Sequence, residues 1–224
     1  MRRLLLGLFT LLACTAIVHG QQIVTVPSHS DEEILARWKD PRNQKLVGGA
    51  FWTMAHDYAD TRHIDEVAAS VERYVTAVQK FVNGDGTPLA KLGGFKAFQK
   101  YLSGLLNDED EAVRALGATL LGVCGDSSYA DQLATLLKPR KQLREMPRYD
   151  RGRAALALGL VGARQYMPSL VSLLKSRNPF DRSGAAYGLG ALKATEHRRA
   201  VAMLLNDPEE DVRTAAKESL AMMR

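Results

Sequence analysis

Apolar positions in the second half of the chain recur in register. Leucine pairs stand at Leu105-Leu106, Leu136-Leu137, Leu173-Leu174 and Leu204-Leu205. Each pair is followed by an arginine: Arg114, Arg151, Arg182 and Arg213. Seven residues after each arginine comes a leucine, Leu121, Leu158, Leu189 and Leu220, followed by Gly122, Gly159, Gly190 and finally Ala221. The gap from pair to arginine is 8, 14, 8 and 8 residues, so the period is 31 and the second unit carries six extra residues. A fixed period of this size is the signature of a stacked-repeat architecture, in which no unit buries its apolar face alone.

Each unit reads as two helices joined by a capped turn. Asp108 to Glu111 offers an acid at the N-cap with a glutamate three residues on, the reciprocal capping arrangement. Asp207-Pro208-Glu209-Glu210 reads the same way, with proline at the first helical position, and Asn178-Pro179 marks the third turn. The alanine- and glycine-rich helix that follows each turn is read as close-packed. A repeated glycine costs about 1 kcal/mol against alanine in a helix interior, so it implies a tight approach or a helix end. The second leucines, Leu106, Leu137, Leu174 and Leu205, are expected to line one continuous interior. The arginine column is expected to be structural, bonded to turn carbonyls or to acids of the preceding unit.

Residues 21 to about 100 lack this register but are helical in pattern. Ser30-Asp31-Glu32-Glu33 opens a short helix carrying Ile34, Leu35 and Trp38, and Pro41 ends it or starts the next. Val47, Phe51, Met54 and Tyr58 form an amphipathic stripe, and a long helix is expected from about Ile64 to Val82. Asn83 to Pro88 is a break, after which Phe95, Phe98 and Tyr101 resume the helical pattern. The segment reads as a bulky cap on a solenoid, since an open stack needs its ends covered.

With its leucine pairs, acidic or Asn-Pro turns, arginine column and Ala-Ala-x-x-Leu-Gly runs, the chain from Tyr101 to Arg224 resembles the HEAT repeat family. The likeness is to its short units of roughly 30 residues, of the phycobilisome-lyase type. The resemblance implies an all-α solenoid of antiparallel helix pairs that presents a surface to a partner. The same group includes bilin lyases and an iron-dependent deoxyhypusine hydroxylase, so an enzyme or enzyme accessory is the alternative. The hydroxylases bind metal through His-Glu pairs, and none of the five histidines here precedes a glutamate.

The first twenty residues change where that solenoid is expected to act. Arg2 and Arg3 precede an uncharged run from Leu4 to Val18, and small residues lead to a cut before Gln21. This is the three-part pattern of a secretory signal peptide, and the run is shorter than the roughly 20 apolar residues that span a bilayer. Leu11-Leu12-Ala13-Cys14 also resembles a lipobox, which would lipidate Cys14, and an uncleaved anchor is a third reading. All three place the protein outside the cytoplasm, secreted or periplasmic. The remaining cysteine, Cys124, has no partner for an intramolecular disulfide in the cleaved chain and reads as a small buried hydrophobe.

Charge singles out one place. The whole chain carries +5, and removing Arg2 and Arg3 leaves +3, too little to argue for nucleic acid. From Lys138 to Arg153, seven cations face Glu145 and Asp150, a net of +5 centred on the six-residue insertion. Lys138, Arg140, Lys141, Arg144 and Arg148 are therefore the candidate contact residues. The expected partner is a protein with an acidic face, with an anionic membrane or polysaccharide surface as alternatives. His56, Asp60 and His63 would share one helix face if the helix ran through them, but two histidines and a carboxylate are thin grounds for a metal. The Gly84-Asp85-Gly86 turn lacks the closing glutamate of a calcium loop. No catalytic residue, cofactor or metal is assigned.

Overall fold

The computed structural model describes residues 30–56, 62–138 and 149–224, with side chains at 52–56 and 62 excepted. The expected signal peptide, residues 1–20, lies outside these residues. Among them every regular element is helical. Four N-terminal helices come first: α1 (Asp31–Lys39), α2 (Pro41–His56), α3 (Arg62–Val82) and the short α4 (Thr87–Lys91). The repeats follow as pairs. Outer helices α5 (Gly94–Leu105), α7 (Ala130–Thr135), α9 (Met167–Leu173) and α11 (Arg198–Ala202) alternate with inner helices α6 (Glu111–Cys124), α8 (Asp150–Leu160), α10 (Pro179–Ala191) and α12 (Glu210–Met222).

The inner helices form one layer, α6 against α8, α8 against α10 and α10 against α12, and each outer helix covers its own inner partner. The repeated glycines are packing residues. A Cβ at Gly122 would meet the Cα of Ala157 at 2.8 Å, and one at Gly190 the Cα of Ser219 at 2.8 Å. Between α8 and α10 the approach is closer still. A Cβ at Gly152 would land on the Phe180 carbonyl, one at Gly184 on the Gly152 carbonyl, and one at Gly159 on Gly188 backbone. These helices touch backbone to backbone, which only glycine permits.

The leucine pairs hold the outer layer down through their first members. Leu105, Leu136, Leu173 and Leu204 are all buried. Of the second members, Leu106 and Leu174 are in the core, Leu137 is partly buried against it and Leu205 is exposed. The expected column is thus displaced by one residue. The reason is local: each outer helix ends at its pair, and in the fourth unit a 3-10 turn, Met203–Asn206, carries Leu205 outward.

The caps also sit later than the sequence reading placed them. Asp110, not Asp108, is the N-cap of α6, its carboxylate accepting from the Ala112 N–H, while Asp108 accepts from the Asp110 N–H. In the fourth unit Asp207 accepts from the Glu209 N–H, and α12 begins at Glu210, so Pro208 precedes the helix instead of opening it. Two linked turns in the first unit and a single one in the fourth thus replace the capping box, because the short carboxylate of Asp108 or Asp207 engages the backbone two residues on before the helix starts. Asn178-Pro179 behaves as expected, with proline in the first turn of α10.

The N-terminal helices use aromatic packing. Tyr74 of α3 stacks on Phe98 of α5 at 4.8 Å, Phe81 meets Phe95 edge-on at 5.9 Å, and Trp38 lies 6.0 Å from Phe98. Ser30 opens α1 with a full capping box, and Pro41 starts α2. Helices α1 and α2 do more than cover the first unit's end: both pack on the inner helix α6. Leu46 of α2 joins a small apolar cluster with Leu156 and Leu160 of α8 and Ala191 of α10.

Candidate functional site

The N-terminal ends of the inner helices are tied by the arginine column. Arg114 donates to the Asp108 and Glu109 carbonyls of its own turn at 2.7 and 2.8 Å, and its Nε reaches Asp150 of the next unit at 2.8 Å. Arg182 repeats this, donating to the Ser176 and Arg177 carbonyls and to Asp207 at 2.7 and 2.8 Å. Arg151 pairs with Asp181, whose carboxylate also accepts from Ser176 Oγ at 2.7 Å. Arg213 holds the Asp207 and Pro208 carbonyls. The acids come from the following unit, not the preceding one as expected. The reason is that Asp150 and Asp181 sit in the first turn of the next inner helix, where a carboxylate complements the helix dipole. Asp150 and Asp181 are fully buried. Hydrogen bonding from Arg182 holds the Asp207 carboxyl below its ordinary value.

The opposite ends of the inner helices carry a second set of arginines that no sequence register announces. Arg37 of α1 is buried and donates to the carbonyls of Val123 at 2.9 Å, Gly122 at 3.1 Å and Leu160 at 2.8 Å, joining the C-terminal ends of α6 and α8. Burial lowers its pKa, against smaller opposing effects of Cys124 and Asp40. Gly125 ends α6 with φ +78°, and a Cβ there would strike the Arg37 guanidinium. Arg164 donates to the Leu192 carbonyl at the end of α10, and Arg198 to the Leu220 carbonyl in α12. Their only sequence signal is a basic residue soon after a helix-ending turn.

The basic segment singled out in the sequence is described only at its two ends. Lys138 is exposed at the end of the second outer helix; Arg140, Lys141, Arg144 and Arg148 lie outside the described residues. Arg151, counted above as part of the basic segment, is committed to Asp181. Two cations missed in the sequence extend the patch: Lys175 and Arg177, exposed in the neighbouring third-unit turn. Lys175 holds the register position of Lys138, one past the leucine pair, which was the available signal. The matching positions of the first and fourth units are Asn107 and Asn206, followed by acids. Beside Lys138, a groove of about 470 Å³ runs between α7 and α9, lined by Asp131, Thr135, Tyr166, Ser169 and Ser172 among others. The Tyr166 hydroxyl donates to Asp131 at 2.6 Å across it.

The other sequence candidates are described in part. Helix α2 is described to His56 and α3 from Arg62, and Asp60, with the rest of 57–61, lies outside the described residues. His63 instead meets Asp108 at 2.8 Å, tying α3 to the first repeat turn. Among the described residues no cluster of three or more metal-ligating side chains occurs. The Asp85 carboxylate accepts from the Thr87 N–H. Cys124 is fully buried, and burial pushes its thiol up to about 12, against the smaller opposing effects of Trp38 and Arg37.

The stacked helix pairs and their repeat columns define a HEAT-like α-solenoid. Residues 138–221 match the family model for HEAT repeats. The fold is similar to that of a protein in the complex of CpcE and CpcF of phycocyanin lyase from Nostoc sp. PCC7120. That similarity has a TM-score of 0.46 and 17% identity, covering 93% of this chain and 70% of that one. It is also similar to the crystal structure of an engineered protein, with a TM-score of 0.45 and 15% identity over 88% of this chain and 97% of that one. No curated protein matches the sequence.

Proposed function

We propose that this protein is an exported, non-enzymatic scaffold whose basic rim, Lys138, Arg140, Lys141, Arg144 and Arg148, docks a protein with an acidic surface. What supports the reading is the banding of charge along one edge of the stack. Lys138, Lys175 and Arg177 are exposed in the middle two units, while Glu109 is exposed in the first turn and Glu209 and Glu210 in the last. A banded edge steers an oppositely charged partner and sets its register, with a rate that falls as salt rises.

The test is cross-linking from position 138 in an extract of the extracellular or envelope fraction, comparing the native chain with R140E/K141E/R144E. Capture of one acidic protein, lost in the variant and weakened by salt, supports the reading. Equal capture by both chains overturns it, and turnover of a small molecule by the captured assembly would assign the protein to an enzyme. Export is tested separately by N-terminal sequencing of the exported protein. A start at Gln21 marks cleavage, a lipidated Cys14 marks an anchored form, and retention in the cytoplasm defeats the proposal.

A further inference from the structure

The inner surface of the solenoid is built from four columns, and the repeat register lays them out. Ala112, Tyr149, Phe180 and Asp211 form one; Leu116, Arg153, Gly184 and Ala215 the next; Thr119, Leu156, Tyr187 and Glu218 the third; Val123, Leu160, Ala191 and Met222 the fourth. Helix α2 packs on α6. The first unit's members, Ala112, Leu116, Thr119 and Val123, are all buried. Leu156 and Leu160 are buried with Leu46 in the cluster already described. Beyond that, the surface opens: Tyr149, Arg153, Phe180 and Tyr187 are half-buried, and Asp211 and Glu218 are exposed.

Arg153 breaks its column. Where the other units place Leu116, Gly184 and Ala215, all buried and uncharged, the second unit places a guanidinium. Departures of this kind from a local rule gather at functional sites. Its neighbours are aromatic: Tyr187 and Tyr149 are the groups whose fields act on it, and Tyr149 lies 4.1 Å from Phe180, ring to ring. Burial lowers its pKa, and no carboxylate among the described residues offsets that effect. The nearby carboxylate of Glu218 is engaged otherwise, accepting from the Tyr187 hydroxyl at 2.9 Å. A guanidinium remains charged at neutral pH, and among the described residues the two tyrosines are what offsets its partial desolvation.

We propose that Arg153, flanked by Tyr149, Phe180 and Tyr187, is a binding site for a carboxylate side chain of a protein partner that carries an apolar residue beside it. The guanidinium fork takes the carboxylate in paired, charge-assisted hydrogen bonds. The rings take the apolar neighbour, the tyrosine and arginine composition that concentrates binding energy at protein interfaces. Tyr149 directly follows Arg148, the last residue of the proposed rim, in the sequence. This inference deepens the proposed docking of an acidic protein and rests on it for the partner class.

The experiment is an NMR titration of the full chain with the peptide Ac-Phe-Glu-Phe-NH2, reading the Arg153 Nε–H and the Tyr187 ring. Both signals should move together and saturate, with Ac-Phe-Gln-Phe-NH2 binding at least about 10-fold more weakly because the charge-assisted bonds are gone. R153Q should abolish the Tyr187 ring response while leaving thermal stability unchanged or raised, which a structural arginine would not do. R140E/K141E/R144E should keep the Arg153 response, so failure of the rim reading and failure of this one are separable. Three outcomes overturn the inference: equal response to both peptides, equal response to inorganic phosphate, or destabilisation by R153Q. A fourth would be movement of the Arg153 signal by E145Q in the free protein, which would assign the site to the chain's own insertion.

Discussion

The seam between α8 and α10 and the helix α2 both contain glycine, for opposite physical reasons. At the first, Gly152, Gly159, Gly184 and Gly188 let two backbones touch, and any Cβ would strike backbone atoms of the facing helix. In the second, a Cβ on Gly48 or Gly49 would meet nothing within 4 Å. The seam needs its glycines; α2 carries them at a cost in helix propensity. The stack is therefore most rigidly specified in its middle. The N-terminal helices are held from outside, by the aromatic cluster and by Arg37 gripping two helix ends.

The comparison can be broken most forcefully at Gly184. G184A must push two backbones apart, and we expect a loss of about 3 kcal/mol or more in urea denaturation, at the upper end of overpacking costs. A loss below about 1 kcal/mol would mean that the helices can separate without penalty. Comparable in size is D181A, which strands the Arg151 guanidinium beside a fully buried site. Removing one member of a buried pair costs about 3–5 kcal/mol, and S183A serves as the neutral control.

Next comes R37A, which removes the donor to three carbonyls. About 2 kcal/mol should be lost, and amide exchange should rise first at the C-terminal turns of α6 and α8. Uniform exchange across the chain would argue against a local clamp. In the opposite direction, G48A and G49A should each raise stability by about 1 kcal/mol, since the added methyls meet no obstacle. A loss at either site would show that α2 is packed more tightly than its surroundings indicate.

The smallest effect is on pH dependence. Asp207 has its pKa depressed by Arg182 in the folded state, so its contribution is present above the unfolded carboxylate value of about 3.9. That contribution fades as pH falls through the lower folded value. D207N should flatten this part of the acid limb of a stability–pH curve, and an unchanged limb would place the dependence on other carboxylates.

The repeat was legible because columns in register leave a trace in one dimension: Leu121, Leu158 and Leu189, with their glycines, report a stacking contact that each unit makes with the next. The arginine column was legible for the same reason, although not its direction. Whether Arg151 reaches forward to Asp181 or backward depends on how one unit leans on the next. Arg37, Arg164 and Arg198 were illegible, because they reach helix ends from elements with no common register. Arg153 was visible only as one cation among seven, and its difference from Leu116, Gly184 and Ala215 became meaningful once those positions were seen to share a face.

What the sequence by itself determined is the set of short-range and periodic relations: helix identity, unit length, the Ser30 and Asn178 caps and the crowding expected at the repeated glycines. Each follows from local backbone chemistry or from a pattern repeated every 31 residues. Only the tertiary structure decided which leucine of each pair faces inward, where α1 and α2 lie, and which arginines are held by carbonyls or carboxylates. These depend on contacts between residues up to 123 positions apart, as from Arg37 to Leu160, and no local rule carries information over that separation.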